Sequence, residues 1–264
     1  MDMNYTSYSY MKSRQEIKAI AREAMGEQRG TAILLGLMVI LVGGASGVLD
    51  MLVMEAFGTG LMYWVVYWAG MAVIYVMSVN MIGEYIKIYN RERADVGAMF
   101  SGLAVNFFRK LGGTLWMSLF IYLWSLLLII PGIVKACHYY FTQNILADCP
   151  NVLATDAIKI SMRITQGRRW EVFVFVLSFL GWAILSIFTL GILWVVYVGP
   201  YFYTADAGFY IEMRDAALAE GRITRQDLGW PPEPPQDTNN RGNSGSGSST
   251  RSDNSGWDDY LRKN

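Results

Sequence analysis

A chain of 264 residues is long enough for one large or two small soluble domains, yet 53% of it is hydrophobic and only 17% charged, against about 25% charged in soluble domains. That excess of apolar side chains calls for lipid rather than a core. Twenty-two basic and twenty-two acidic residues cancel, so no global charge points to nucleic acid as a partner.

Residues 1–12 are predicted to be disordered. Lys12, Arg14, Lys18, Arg22 and Arg29 precede any apolar run, which argues against a cleaved secretory signal. Within residues 13–25, Ile17, Ile20, Ala21, Ala24 and Met25 recur at helical spacing opposite a stripe of Arg14, Lys18 and Arg22, the pattern of an amphipathic helix. Two charge-poor segments follow, Ile33 to Met54 and Leu61 to Ile82, separated by Glu55 to Gly60. Each is close to the roughly 20 apolar residues that span a hydrocarbon core about 30 Å thick.

The pattern then recurs. Val96, Met99, Phe100, Leu103 and Phe107 form a second helical stripe, ended by a basic join with Arg109 and Lys110. Residues 113–148 would make a single helix about 54 Å long, nearly twice the membrane thickness. The expected reversal is at Pro131-Gly132, because proline breaks the helical ladder and glycine accepts positive φ. This leaves Leu115 to Ile130 and Ile133 to Ala147 as two spans.

A third stripe, Ala154, Ala157, Ile158, Ser161 and Met162, opposes Asp156, Lys159 and Arg163 and ends in a join carrying Arg168 and Arg169. Val172 to Phe188 and Ile192 to Ile211 follow, with a glycine turn expected at Phe188–Ile192. The predicted fold is thus all-α: six transmembrane helices as three hairpins, each preceded by an amphipathic cytoplasmic-side helix, within a domain covering residues 13–228. Lys and Arg collect on one side of every hairpin, which places both termini in the cytoplasm of a bacterial cell membrane. Residues 229–264, rich in Pro, then Gly, Ser and Asn, read as a disordered cytoplasmic tail.

Chemistry is sparse. No G-x-S-x-G, H-E-x-x-H or P-loop occurs, and Cys137, Cys149 and the single His138 make no four-ligand metal set. No enzyme activity, cofactor or metal is expected. Polar residues at membrane depth are candidates because their insertion is costly: Lys135, Asp50 and Asp206. For Lys135 the readings are snorkelling to the outer surface, an ion pair with Asp50 or Glu55, or a substrate or ion site. Asp206 is expected near Asn80 or Asn144. Arg14, Lys18, Arg22, Arg109, Lys110, Lys159, Arg163, Arg168 and Arg169 read as contacts to lipid head groups or a cytoplasmic partner.

The stretches Ser13–Met25, Ile130–Met162 and Leu177–Tyr210, with their Pro-Gly-Ile…Lys-Ala and Leu-Ala-Asp-x-Pro elements, resemble the DUF975 family of bacterial multi-pass membrane proteins over about residues 12–214. The resemblance implies membrane location and carries over no catalytic residues. The expected function is a non-enzymatic membrane scaffold or accessory protein binding cytoplasmic partners or lipids. The competing reading is a small transporter or channel component in which Lys135, Asp50 and Asp206 line a polar path.

Overall fold

The computed structural model describes residues 11–127 and 129–231, and among these every regular element is helical. The predicted tail, from residue 232 onward, and most of the predicted disordered N-terminus lie outside the described residues. Among the described residues, three helical segments are long and apolar enough to cross a membrane: Arg29–Phe57, Leu61–Tyr89 and Arg169–Phe188.

Helix α1 (Arg14–Glu27) starts at a capping box in which Ser13 and Glu16 satisfy each other's backbone N–H groups. Its apolar stripe does not enter lipid. Ile17, Ala21, Ala24 and Met25 are buried in the protein core, where α1 packs on α3 and α11.

Helices α2 (Arg29–Phe57) and α3 (Leu61–Tyr89) are joined by a turn at Gly58, whose φ of 67° suits glycine. Gly43 faces Ile74, Ser46 faces Gly70, and the Tyr85 hydroxyl reaches the Ala32 carbonyl. Positions rise along one helix as they fall along the other. Helix α4 (Val96–Ser101) is a short piece capped by Asp95, and the expected longer stripe stops there because residues 102–106 turn.

The Pro131-Gly132 expectation needs correction. Helix α5 (Phe107–Leu127) ends and α6 (Ile129–Tyr139) begins before the proline, so Pro131 and Gly132 occupy the first turn of α6. Proline is tolerated there, where its missing N–H would have no intrahelical acceptor. Gly132 serves close approach instead: a Cβ on it would lie 2.5 Å from Ser125 Oγ and 2.9 Å from Ser125 Cα. Trp124 with Lys135 and Phe120 with Tyr139 continue the same opposed register.

Two further expected runs are interrupted. The chain kinks at Tyr140 and Phe141 before α7 (Thr142–Asp148), and at Ser178 and Phe179 between α9 (Arg169–Leu177) and α10 (Leu180–Phe188). Between α7 and α9, α8 (Ala154–Ile164) buries Ala157, Ile158, Ile160, Ser161 and Ile164. The turn at Leu190 and Gly191 has positive φ at both, 52° and 81°. A π-helical turn, Trp194–Val198, then leads into α11 (Gly199–Ala219). Pro200 cannot donate to the helical ladder, and the N–H of Gly199 bonds the carbonyl of Trp194, five residues back.

Packing is unequal along the helices. Buried residues of α2 are confined to Ala32 and Leu35, and those of α3 start at Val76. Toward the turns at Gly58 and Gly191 the large apolar side chains are exposed, including Met51, Phe57, Trp68, Ile187 and Leu190. The core therefore sits at the end where α1, α4, α7 and α8 gather, centred on Phe175 stacked on Phe209 at 4.4 Å.

Candidate functional site

Buried polar groups concentrate in that packed end. Tyr140 and Asn144 are one helical turn apart in number and both reach Asp206 on α11. The tyrosine hydroxyl donates to Oδ1 at 2.6 Å and the Asn144 amide to Oδ2 at 3.0 Å. Asp206 is 7% exposed, so both donors serve a carboxylate removed from water. The expectation that Asp206 neighbours Asn80 or Asn144 resolves to Asn144.

One turn further along α11, Asp148 Oδ2 accepts from Tyr210 at 2.9 Å and from Arg214 at 2.8 Å. Arg214 also lies over the rings of Tyr210 and Trp230. Cys149, beside Asp148, is a free, buried thiol. Burial first, and the Asp148 carboxylate second, push its pKa up to about 12, which suppresses thiolate chemistry at neutral pH.

Arg109 and Lys110 are placed differently from a head-group contact. The Arg109 guanidinium donates to the carbonyls of Leu146, Cys149 and Val152 at 2.7–3.0 Å, closing the carbonyl end of α7. Lys110 is 9% exposed and donates to Asn80 Oδ1 at 2.6 Å and to the Gly102 carbonyl at 3.3 Å. Asn80 in turn donates to the Met99 carbonyl. These groups line a cavity of about 440 Å3 together with Glu84, Lys87, Glu92 and Asp148. Sequence spacing missed this arrangement because it depends on the turn after α4 folding back over α3.

The other predicted cations are distributed as follows. Arg14 is exposed on α1. Lys18 donates to Ser178 Oγ at 2.6 Å and sits 4.2 Å from the centre of the Phe179 ring. Burial first, and nearby Arg14 second, lower its pKa from the ordinary lysine value. Arg22 covers the Tyr201 ring, so two of three cations in the α1 stripe rest on protein aromatics. Lys159 pairs with Asp156 on the surface, and Arg168 pairs with Glu220 at 2.6 Å. Arg169 is exposed beside Trp170 at an apolar groove bounded by Ile133, Val134 and Phe173.

Arg163 holds Asp227 through both terminal nitrogens at 3.1 Å, and Arg222 caps the carbonyls of Arg163 and Ile164 at the end of α8. Burial acts to raise the Asp227 pKa, but hydrogen bonds from Thr224 and Arg163 outweigh it and hold the carboxyl below its ordinary value. A carboxyl depressed in the folded state contributes stability above its unfolded pKa of about 3.9, which is lost as pH falls through the lower folded value. Hydrogen exchange at residues 222–229 should therefore speed up as pH falls below about 4 relative to α11, after correction for intrinsic rates, and Asp227→Asn should abolish that selective acid response.

The three candidates expected at membrane depth do not meet. Lys135 Nζ lies 4.8 Å from the centre of the Trp124 ring and 5.9 Å from that of Tyr139, with no bond to Asp50 or Glu55. Asp50 Oδ1 is a buried atom without a hydrogen-bond partner on α2. Asp206 is enclosed by Tyr140 and Asn144. Among the described residues, no cluster of His, Cys, Asp or Glu has the makings of a metal site.

The family model described as "Protein of unknown function (DUF975)" matches residues 126–217. That segment runs from the end of α5 through most of α11 and contains both the Asp206 and the Asp148–Arg214 clusters. No curated protein and no solved structure matches.

Proposed function

The chain belongs to the DUF975 family through residues 126–217, and from that footing we propose that it is a non-enzymatic scaffold or accessory protein. In this reading it spans the bacterial cytoplasmic membrane six times as three hairpins, with both termini in the cytoplasm. The opposed registers of α2 with α3 and of α5 with α6 support the hairpins. The band of exposed Met, Phe, Trp and Leu toward the turns supports burial in lipid.

The observation that carries the scaffold reading over the carrier reading is the separation of Lys135, Asp50 and Asp206. A carrier's intramembrane charges line a common path. Here Asp206 spends both oxygens on Tyr140 and Asn144, and Lys135 rests on Trp124. The apolar faces of α1 and α8 are also consumed by the core, so these helices brace the bundle. Contacts with cytoplasmic partners or lipid head groups fall to exposed groups such as Arg14, Arg169 and Trp170 and to the tail after residue 231.

Two measurements test this. On a background lacking Cys137 and Cys149, single cysteines at Thr59 and Thr189 should react with an impermeant maleimide in intact cells, and those at Arg93 and Gln166 only after permeabilisation. A reversed response at any of the four overturns the six-span arrangement. In-cell crosslinking of the full chain should recover a protein that is lost when residues 232–264 are removed. Protein-dependent ion flux in liposomes, abolished by Asp206→Asn in a variant that remains folded, would favour the carrier.

A further inference from the structure

A buried ammonium ordinarily has a carboxylate beside it, because taking a lone charge out of water is expensive. Lys110 breaks that pattern. Its two protein acceptors, the Asn80 side-chain oxygen and the Gly102 carbonyl, are neutral, and it borders a cavity of about 440 Å3. An ammonium has three donors, so one remains.

Two of the three carboxylates of the same wall, Glu84 and Asp148, are engaged elsewhere. Glu84 takes Lys87 Nζ on one oxygen at 2.7 Å and the Asp95 N–H on the other at 3.0 Å. Asp148 Oδ2 takes Tyr210 and Arg214. Glu92 is exposed and forms no ion pair with Lys110. Arg109, next in sequence, is spent on three carbonyls and brings no anion with it. Two adjacent cations thus stand at the start of α5 without a counter-charge, and one of them faces open volume.

We propose that this cavity, between the end of α3, the turn after α4, the start of α5 and the end of α7, binds a phosphate-bearing ligand seated on Lys110. A volume of about 440 Å3 falls within the ordinary range for small-molecule sites and leaves room for more than the anionic group itself. The Asn90 amide and the Ser101 hydroxyl on the rim offer further polar contacts. The same chemistry is carried by a soluble phosphate ester and by a phospholipid head group. The site does not depend on the scaffold reading.

The test is thermal unfolding of the full chain in detergent, with inorganic phosphate or glycerol phosphate compared with chloride at equal ionic strength. A second arm follows unfolding in phosphatidylcholine vesicles with and without phosphatidylglycerol. A rise in Tm with the soluble anions assigns a free phosphate ester, and a rise confined to phosphatidylglycerol vesicles assigns the head group. In either arm Lys110→Met should raise the half-saturating concentration at least tenfold. Should that variant fail to fold, Asn80→Asp keeps the lysine, places a carboxylate against it and should suppress the response equally. The proposal is overturned if no phosphate-bearing probe shifts Tm beyond its control, or if the shift survives unchanged in whichever of the two variants folds.

Discussion

Asp206→Ala should lower the unfolding free energy by about 2–6 kcal/mol, because it leaves two buried donors unsatisfied at about 1–3 kcal/mol each. The carboxylate accepts from Tyr140 at 2.6 Å and from Asn144 at 3.0 Å, and α11 around it is buried from Thr204 to Tyr210. Deleting the acceptor strands two buried donors. Asp206→Asn should cost less, since its amide oxygen still accepts from one donor. Tyr140→Phe in the Asp206→Ala background should recover part of the loss, because it removes one of the stranded donors. Denaturant titration in detergent, followed by tryptophan fluorescence, measures all three. A loss below about 1 kcal/mol for Asp206→Ala, smaller than a typical unsatisfied buried group costs, would mean that the cluster is hydrated and open, as the carrier reading requires.

The long charge-poor runs were legible because period and length fix a helix almost without tertiary help: α2 and α3 begin or end within a few residues of the expected limits. The turns at Gly58 and Gly191 were legible for a local reason too, a backbone conformation that glycine favours. Pro131 misled because a proline both ends and begins helices, and only the position of its neighbours on α5 decides which. The kinks at Tyr140–Phe141 and Ser178–Phe179 carry no Gly or Pro and left no signal. The site was partly readable: Asn144 is one of the two expected neighbours of Asp206, whereas Tyr140 reaches it from the kink before α7. A tyrosine in an apolar run nevertheless reads as an interfacial aromatic until its partner on α11 is known. The amphipathic stripes of α1 and α8 were read correctly as periodic. Their destination was not readable, because α1 meets α11 across nearly the whole chain, and a single sequence holds no record of such a pairing.

The second large effect concerns the contact between α3 and α11, which holds the packed end together. Gly208 lies against Tyr89 so closely that a Cβ would stand 2.1 Å from one ring carbon and 2.4 Å from the next. Real Cβ atoms do not approach so near, so Gly208→Ala must displace the ring or part the helices. Neither is free. Tyr89 is 7% exposed and its hydroxyl oxygen is buried without a hydrogen-bond partner, while Gly208 is flanked by the buried Ala207 and Phe209. Overpacking of this kind costs about 1–3 kcal/mol and sometimes more, and here it opposes any gain in helix propensity, worth about 1 kcal/mol for Gly→Ala. Tyr89→Ala would open a cavity when made alone, yet in the Gly208→Ala background it removes the clash. The double variant should therefore be more stable than the sum of the two single losses implies, with a coupling energy of at least about 1 kcal/mol, in the range for residues in contact. Strict additivity would show that α3 and α11 slide apart freely at this point instead of being held at a fixed spacing by the Gly208–Tyr89 contact.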